Sequence, residues 1–191
     1  MKVKMVCGVG VNDFNGTVSN LGVHIREYAL WKGMLERCYG KTQRVVSKAY
    51  INTTVSRELL SFSYFYNFVR NLKGFNEVGW QMDKDILGTG EEYSEKYIVF
   101  VPQEINMFFV VNKRYKYELP LGVQFNKRYN KYCAAVKIGG KTKNLGYFTT
   151  VEQAALAYKD AKESHAKLLA SKWKGKIDER VYCKLINFSV S

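Results

Sequence analysis

Histidine is nearly absent from this sequence, with only His24 and His165 among 191 residues. The four cysteines, Cys7, Cys38, Cys133 and Cys183, form no C-x-x-C pair. A structural zinc centre draws its ligands at short paired spacings, so none is expected. The N-terminal stretch MKVKMVCGVGVNDF turns polar too early for a secretory signal. The scattered cysteines therefore read as free and mostly buried thiols. Proline occurs at only 2 positions and hydrophobic residues make up 47%, which excludes disorder by composition. No apolar run approaches the roughly 18 residues of a membrane span. The expectation is a soluble cytoplasmic protein with no membrane partner, long enough for one or two small domains.

Acidic residues are also scarce. There are 17 Asp+Glu against 30 Lys+Arg, a formal net charge of +13. Residues 1–112 hold 13 basic and 11 acidic side chains, while 113–191 hold 17 and 6. Nearly all the excess thus lies in the shorter second segment. So positive a segment points to a polyanion, most simply nucleic acid.

What is present reads as an α+β chain in two small domains, 1–112 and 113–191. In the first, Tyr28, Trp31, Leu35 and Cys38 recur at helical spacing and predict a helix over 26–39, with Gly40 to end it. The β-branched run at 49–55 predicts a strand. Ser56 is a candidate N-cap for a helix over 57–72 with Leu59, Phe62, Phe65 and Val69 on its inner side. Strands are expected at 79–86 and 97–101, and Pro102 suits the first turn of a helix at 103–110. The charged segment 112–120 reads as a linker.

The second half predicts three strands, at 122–126, 131–138 and 143–149. Gly139-Gly140 forms a two-residue hairpin signal. A long helix should follow over 151–171, capped by Thr150 with Gln153 as its capping-box partner. A short helical tail is expected at 178–186.

Gly122-Val123, Lys131 to Lys137, Leu145-Gly146-Tyr147-Phe148-Thr149-Thr150, Ala154-Ala155 and Ala157-Tyr158 occur in a distinctive order. In that order residues 119–162 resemble the ethylene-response-factor (AP-two type) DNA-binding domain. The resemblance implies a three-stranded antiparallel sheet packed on one helix, with the other face in a DNA major groove. Phe125, Ala134, Val136 and Ile138 fall on the apolar side. The contacts it implies are Gln124, Asn126, Arg128, Lys131, Tyr132, Ala135, Lys137, Lys143 and Tyr147. Arg128 would suit guanine, Gln124 or Asn126 adenine, and the lysines phosphate. The plant domains carry arginines near Gln124 and Asn126, and tryptophan near Tyr132.

The first half carries Tyr28-x-x-Trp31-x-x-Met34-Leu35-x-Arg37, then Met82-Asp83-Lys84-Asp85-Ile86, Tyr93-Ser94, Phe100-Val101-Pro102 and Ile105-Asn106. With the adjacent second domain, this resembles phage HNH-like (His-Me finger) homing endonucleases. The location would then be the host cytoplasm. The resemblance implies a ββα-metal nuclease over 79–110, with Mg²⁺ or another divalent metal if active and no cofactor otherwise. Asp83, Asp85 and Asn106 become metal-ligand candidates. Lys84 stands where the family has its general-base histidine, leaving Lys84, Tyr93 and Glu91 as catalytic candidates. The other reading of Asp83 and Asp85 is a salt link with Lys84 and no metal.

Two functions remain open on the sequence. One is a metal-dependent endonuclease acting on double-stranded DNA. The other is a non-catalytic DNA-binding or regulatory protein on a degenerate nuclease scaffold. A host-protein partner fits the same composition.

Overall fold

The structure is a computed structural model that describes residues 5–41, 50–110 and 119–190. Most of the expected linker, 112–118, lies outside the described residues, as does the first residue of the 49–55 strand. The fold is α+β, with helices beside several small sheets. Two compact units divide at Val101 and Pro102.

The first unit opens with two short antiparallel pairs, β1 (Met5–Val6) with β2 (Gly10–Val11) and β3 (Ser19–Asn20) with β4 (Val23–His24). Helix α1 runs Arg26–Tyr39, as its apolar spacing predicts. Trp31, Met34, Leu35 and Cys38 are all fully buried along one side of it. The strand expected at 49–55 is reduced to β5 (Thr54–Val55). A single 3-10 turn at Glu58–Leu60 precedes α2 (Phe62–Arg70).

The N-cap of α2 is Ser61, not the expected Ser56. Its hydroxyl accepts from the Tyr64 amide at 3.1 Å and donates to the Asp13 carboxylate at 2.7 Å. Asp13 also accepts the Ser63 amide at 2.8 Å. Burial alone would raise the Asp13 carboxyl, but these hydrogen bonds hold it below its ordinary value. A distant side chain therefore moved the helix start.

Phe62 lies edge-on to Tyr28 and Phe14, and α1 and α2 close over Phe75, Tyr93, Ile98 and Phe100. The Trp31 indole N–H donates to the Leu59 carbonyl at 2.8 Å, so even its polar atom is satisfied inside. Buried Glu27 is paired with Arg70 at 2.9 Å. The later strands are β6 (Gln81–Asp83), β7 (Glu92–Tyr93) and β8 (Val99–Val101). β6 pairs β8 antiparallel, and β7 pairs β5 in parallel.

The second unit begins with α3 (Gln103–Phe109), whose N-cap is Pro102. The division thus falls ahead of α3, where the sequence places a boundary at 112. The reason lies in polar ties. Glu104 on α3 accepts from Lys172 at 2.5 Å and from the Trp173 indole at 2.7 Å. Lys162 donates to the Phe108 carbonyl at 2.7 Å.

Strands β9 (Val123–Asn126), β10 (Lys131–Ile138) and β11 (Lys141–Phe148) form an antiparallel sheet with β10 in the middle. Gly139 and Gly140 both take positive φ and make the expected two-residue turn. Helix α4 (Val151–Trp173) covers one face, and α5 (Glu179–Ile186) packs on α4. Thr150 caps α4 by accepting the Gln153 amide at 3.3 Å. Gly122 has φ +77, and a Cβ there would lie 2.0 Å from the Tyr158 ring. The glycine and tyrosine of the sequence pattern are thus one contact: the ring packs where a side chain is missing.

The cysteine expectation holds only in part. All four are free, but only Cys38 is buried; Cys7 and Cys133 are half-buried and Cys183 is exposed. Among the described residues, no helix is long and apolar enough to cross a membrane.

Candidate nucleic-acid interface

The strand register sorts the second unit's candidates onto two faces. Directly paired residues in an antiparallel sheet point the same way, and successive residues alternate. Val123, Ala134 and Val136 are buried, so their row marks the helix-covered face. The other face shows three cross-strand rows. Asn126 pairs with Lys131, Cys133 pairs with Gln124 on one side and Tyr147 on the other, and Ala135 pairs with Asn144. Lys137 and Thr142 form a fourth row beside the hairpin turn.

Gln124, Asn126, Lys131, Ala135, Lys137 and Tyr147 therefore share one open face. Arg128 stands in the turn that joins β9 to β10, with its guanidinium 5.5 Å from the Tyr129 ring. Two candidates do not belong to this face. Tyr132 pairs with Phe125 and Phe148 and packs against Val123, Ala134 and Ala154 on the helix side. Lys143 pairs with Val136 and borders a groove of about 200 Å³ with Ile138, Leu145, Ala161 and Leu168.

The reason Lys143 is displaced is a β-bulge. Ala134 faces Gly146 while Ala135 faces Asn144, so Leu145 is an extra residue in β11. Lys143 and Tyr147 are an even number of residues apart, yet they point to opposite faces. Gly146 makes the bulge with φ +135, and the Asn144 side-chain oxygen accepts its amide at 2.8 Å. A glycine inside a strand run signals such a bulge, and Asn144-Leu145-Gly146 was the legible clue. For Tyr132, plain alternation with Ala134 and Val136 already excludes the open face; only the family pattern suggested otherwise.

Tyr129 is not among the contact residues that the sequence pattern implies. Half of its surface is exposed, and its ring meets Tyr147 edge-on at 4.9 Å. Arg128, Tyr129 and Tyr147 thus form an aromatic and cationic cluster at one end of the open face. No simple periodicity finds Tyr129, because it lies in a turn.

The first unit's candidates are arranged differently. Lys84 is only 3% exposed. Its ammonium donates to the Asp85 carboxylate at 2.5 Å and to the Gly90 carbonyl at 2.6 Å. The Tyr50 and Tyr93 rings lie 5.3 and 5.2 Å from it. The Asp83 carboxylate accepts the Asp85 and Ile86 amides, both at 2.8 Å, and so shapes the turn after β6. Burial raises the Asp83 carboxyl above its usual range against the pull of those amides.

Tyr93 is buried in the core. Its hydroxyl accepts from Arg37 at 2.9 Å, and burial pushes its ionisation well above the ordinary tyrosine value. Glu91 is exposed, and its backbone carbonyl accepts the Thr54 amide at 2.8 Å. Asn106 is half-buried on α3 and belongs to the second unit. His24 is exposed on β4 beside Tyr28, and His165 packs on Phe108 within the second unit.

These donors do not fit the divalent ion that the nuclease resemblance implies. One Asp83 oxygen holds two backbone amides, and one Asp85 oxygen holds an ammonium. Among the described residues no group of three or more His, Cys, Asp or Glu could hold a metal. Lys84 and Tyr93 are both withdrawn from solvent, where neither can meet a phosphate.

No protein-family model, curated protein or solved structure matches this chain.

Proposed function

We propose that this chain is a double-stranded DNA-binding protein that docks the open face of β9–β11 on the duplex. The carrying observation is the division of the sheet into a helix-covered face and a face bearing Lys131, Lys137, Gln124 and Tyr147. Both lysines are exposed. A major groove admits a two-stranded antiparallel ribbon such as two strands of this sheet form, and there base edges carry distinct donor and acceptor patterns. The basic excess of the second segment supplies counter-ion release. The fold of this unit, three strands on one long helix, supports its likeness to the AP-two type domain.

On this reading the first unit is a nuclease-like scaffold that works without metal chemistry. Its strand–loop–strand keeps the order of the HNH-like pattern, while a lysine ammonium and backbone amides occupy the carboxylates. The unit would be retained for DNA contact or regulation, in the host cytoplasm if the chain is phage-encoded.

The test is duplex binding against salt. Lys131→Ala with Lys137→Ala should lower affinity and reduce the slope of log K on log salt by about 2, near one per phosphate contact. Lys167→Ala with Lys174→Ala, exposed on and just past α4, removes equal charge and should leave the slope unchanged. Equal losses in both pairs would refute the face. Plasmid incubated with Mg²⁺ or Mn²⁺ should remain uncut. Cleavage that disappears in Asp83→Ala and Asp85→Ala would restore the nuclease reading.

A further inference from the structure

The open face holds several polar side chains, but their hydrogen-bonding capacity is already unequal. The Asn126 side-chain oxygen accepts the Arg128 amide at 3.0 Å and the Tyr129 amide at 3.2 Å. The Asn144 oxygen accepts the Gly146 amide at 2.8 Å and faces the Cys133 thiol at 3.6 Å. Backbone N–H groups only donate, so both asparagines must turn oxygen inward and NH₂ outward. Each can offer DNA donors alone.

Adenine in the major groove presents an acceptor at N7 and a donor at N6. A side chain that reads it bidentately needs a donor and a free acceptor together. The two asparagines have lost the acceptor. Lys131 and Lys137 never had one. Thr142 and Tyr147 carry one hydroxyl oxygen each and cannot span both adenine groups. Gln124 makes no side-chain hydrogen bond among the described residues, is exposed, and keeps both halves of its amide.

Its place favours reading as well. Gln124 shares a row with Cys133, and Ala135 lies two residues along β10 on the same face. These small side chains leave the centre of the sheet low, so a base edge can come close. The flanking Lys131 and Lys137 are set for phosphates on either side.

We propose that Gln124 is the specificity-determining residue of the sheet and selects adenine at one position of the bound duplex. The assignment rests on the DNA-binding reading above. Asn126, which the sequence alone makes an equal candidate, is instead a turn-holding residue. Its contribution is to fix the β9–β10 turn that carries Arg128 and Tyr129.

The experiment selects bound duplexes from a randomised pool with the full chain and with three variants. The wild-type protein should enrich adenine at one position. Gln124→Ala should lose that enrichment, with the preferred base weakened about tenfold. Gln124→Glu, which can only accept, should shift the preference toward cytosine, whose N4 donates. Asn126→Ala should lower the melting temperature of the second unit and leave the adenine preference in place. Adenine enrichment that survives in Gln124→Ala, or that vanishes in Asn126→Ala alone, overturns the assignment. Duplex binding with no base preference overturns it too. Failure of the wild-type chain to retain any duplex overturns the DNA-binding reading instead.

Discussion

The buried ammonium of Lys84 permits a quantitative test of what the first unit is. Its two charge-assisted partners are unlike in exposure: the Asp85 side chain is 59% exposed and Lys84 only 3%. Removing one partner from an ion pair is costly chiefly when the charge left behind is buried. Asp85→Ala strands the ammonium with the Gly90 carbonyl and two ring faces, and should cost about 3 kcal/mol. Lys84→Met removes the buried charge, keeps most of the stem volume, and leaves Asp85 to water. The Gly90 carbonyl still accepts the Thr53 hydroxyl at 3.2 Å. That change should cost about 1 kcal/mol.

In the double variant no buried charge remains, so the loss should stay near about 1 kcal/mol and fall well short of the sum. Urea unfolding followed by fluorescence reads this out. Trp31 and Trp80 lie in the first unit, and Trp173→Phe as the common background silences the second. A metal site predicts the reverse pattern. Clustered carboxylates would repel one another, Asp85→Ala would stabilise the metal-free chain, and Mg²⁺ would raise the wild-type midpoint. Additive losses, or a stabilising Asp85→Ala, would refute the view of Lys84 as an internal counter-ion.

Two further outcomes are expected in the second unit. Gly122→Ala adds a Cβ within 2.0 Å of the Tyr158 ring at φ +77, and should destabilise the unit by more than about 2 kcal/mol. Tyr158→Ala added to it should relieve the clash but not the backbone strain, which thermal melts of the pair would show. Burial pushes Lys162 down to about 8 from 10.5. Between those values the unfolded chain holds a proton that the folded one has lost. Stability from this group therefore rises with pH across that window and is lost as pH falls through about 8. The wild-type melting temperature should gain on that of Lys162→Met between pH 7 and pH 10; parallel pH profiles would contradict this.

Much of the architecture was legible because it depends on neighbours in sequence. Helix α1 follows from apolar spacing, the β10–β11 turn from Gly139-Gly140, and the start of α4 from Thr150. The start of α2 was not legible, because Asp13, nearly fifty residues earlier, holds Ser61 and Ser63. Among the described residues the strand expected at 49–55 covers only Thr54–Val55, since β-propensity needs a partner and β7 supplies it only there. The functional candidates divide in the same way. The basic second half and its strands could be read from composition and alternation. The true face of Lys143 and the part played by Tyr129 could not.

By itself the sequence determined that this is an α+β chain whose positive charge collects in a sheet-and-helix half. That much rests on local periodicity and composition. Only the tertiary structure decided which charges face outward together, because one extra residue at Leu145 reverses the faces after it. Only the structure, likewise, decided that Lys84 turns inward to Asp85 and Gly90. A lysine beside two aspartates spells the same letters whether it awaits a phosphate or neutralises its neighbour. Burial is what distinguishes the two, and burial depends on residues remote in the chain.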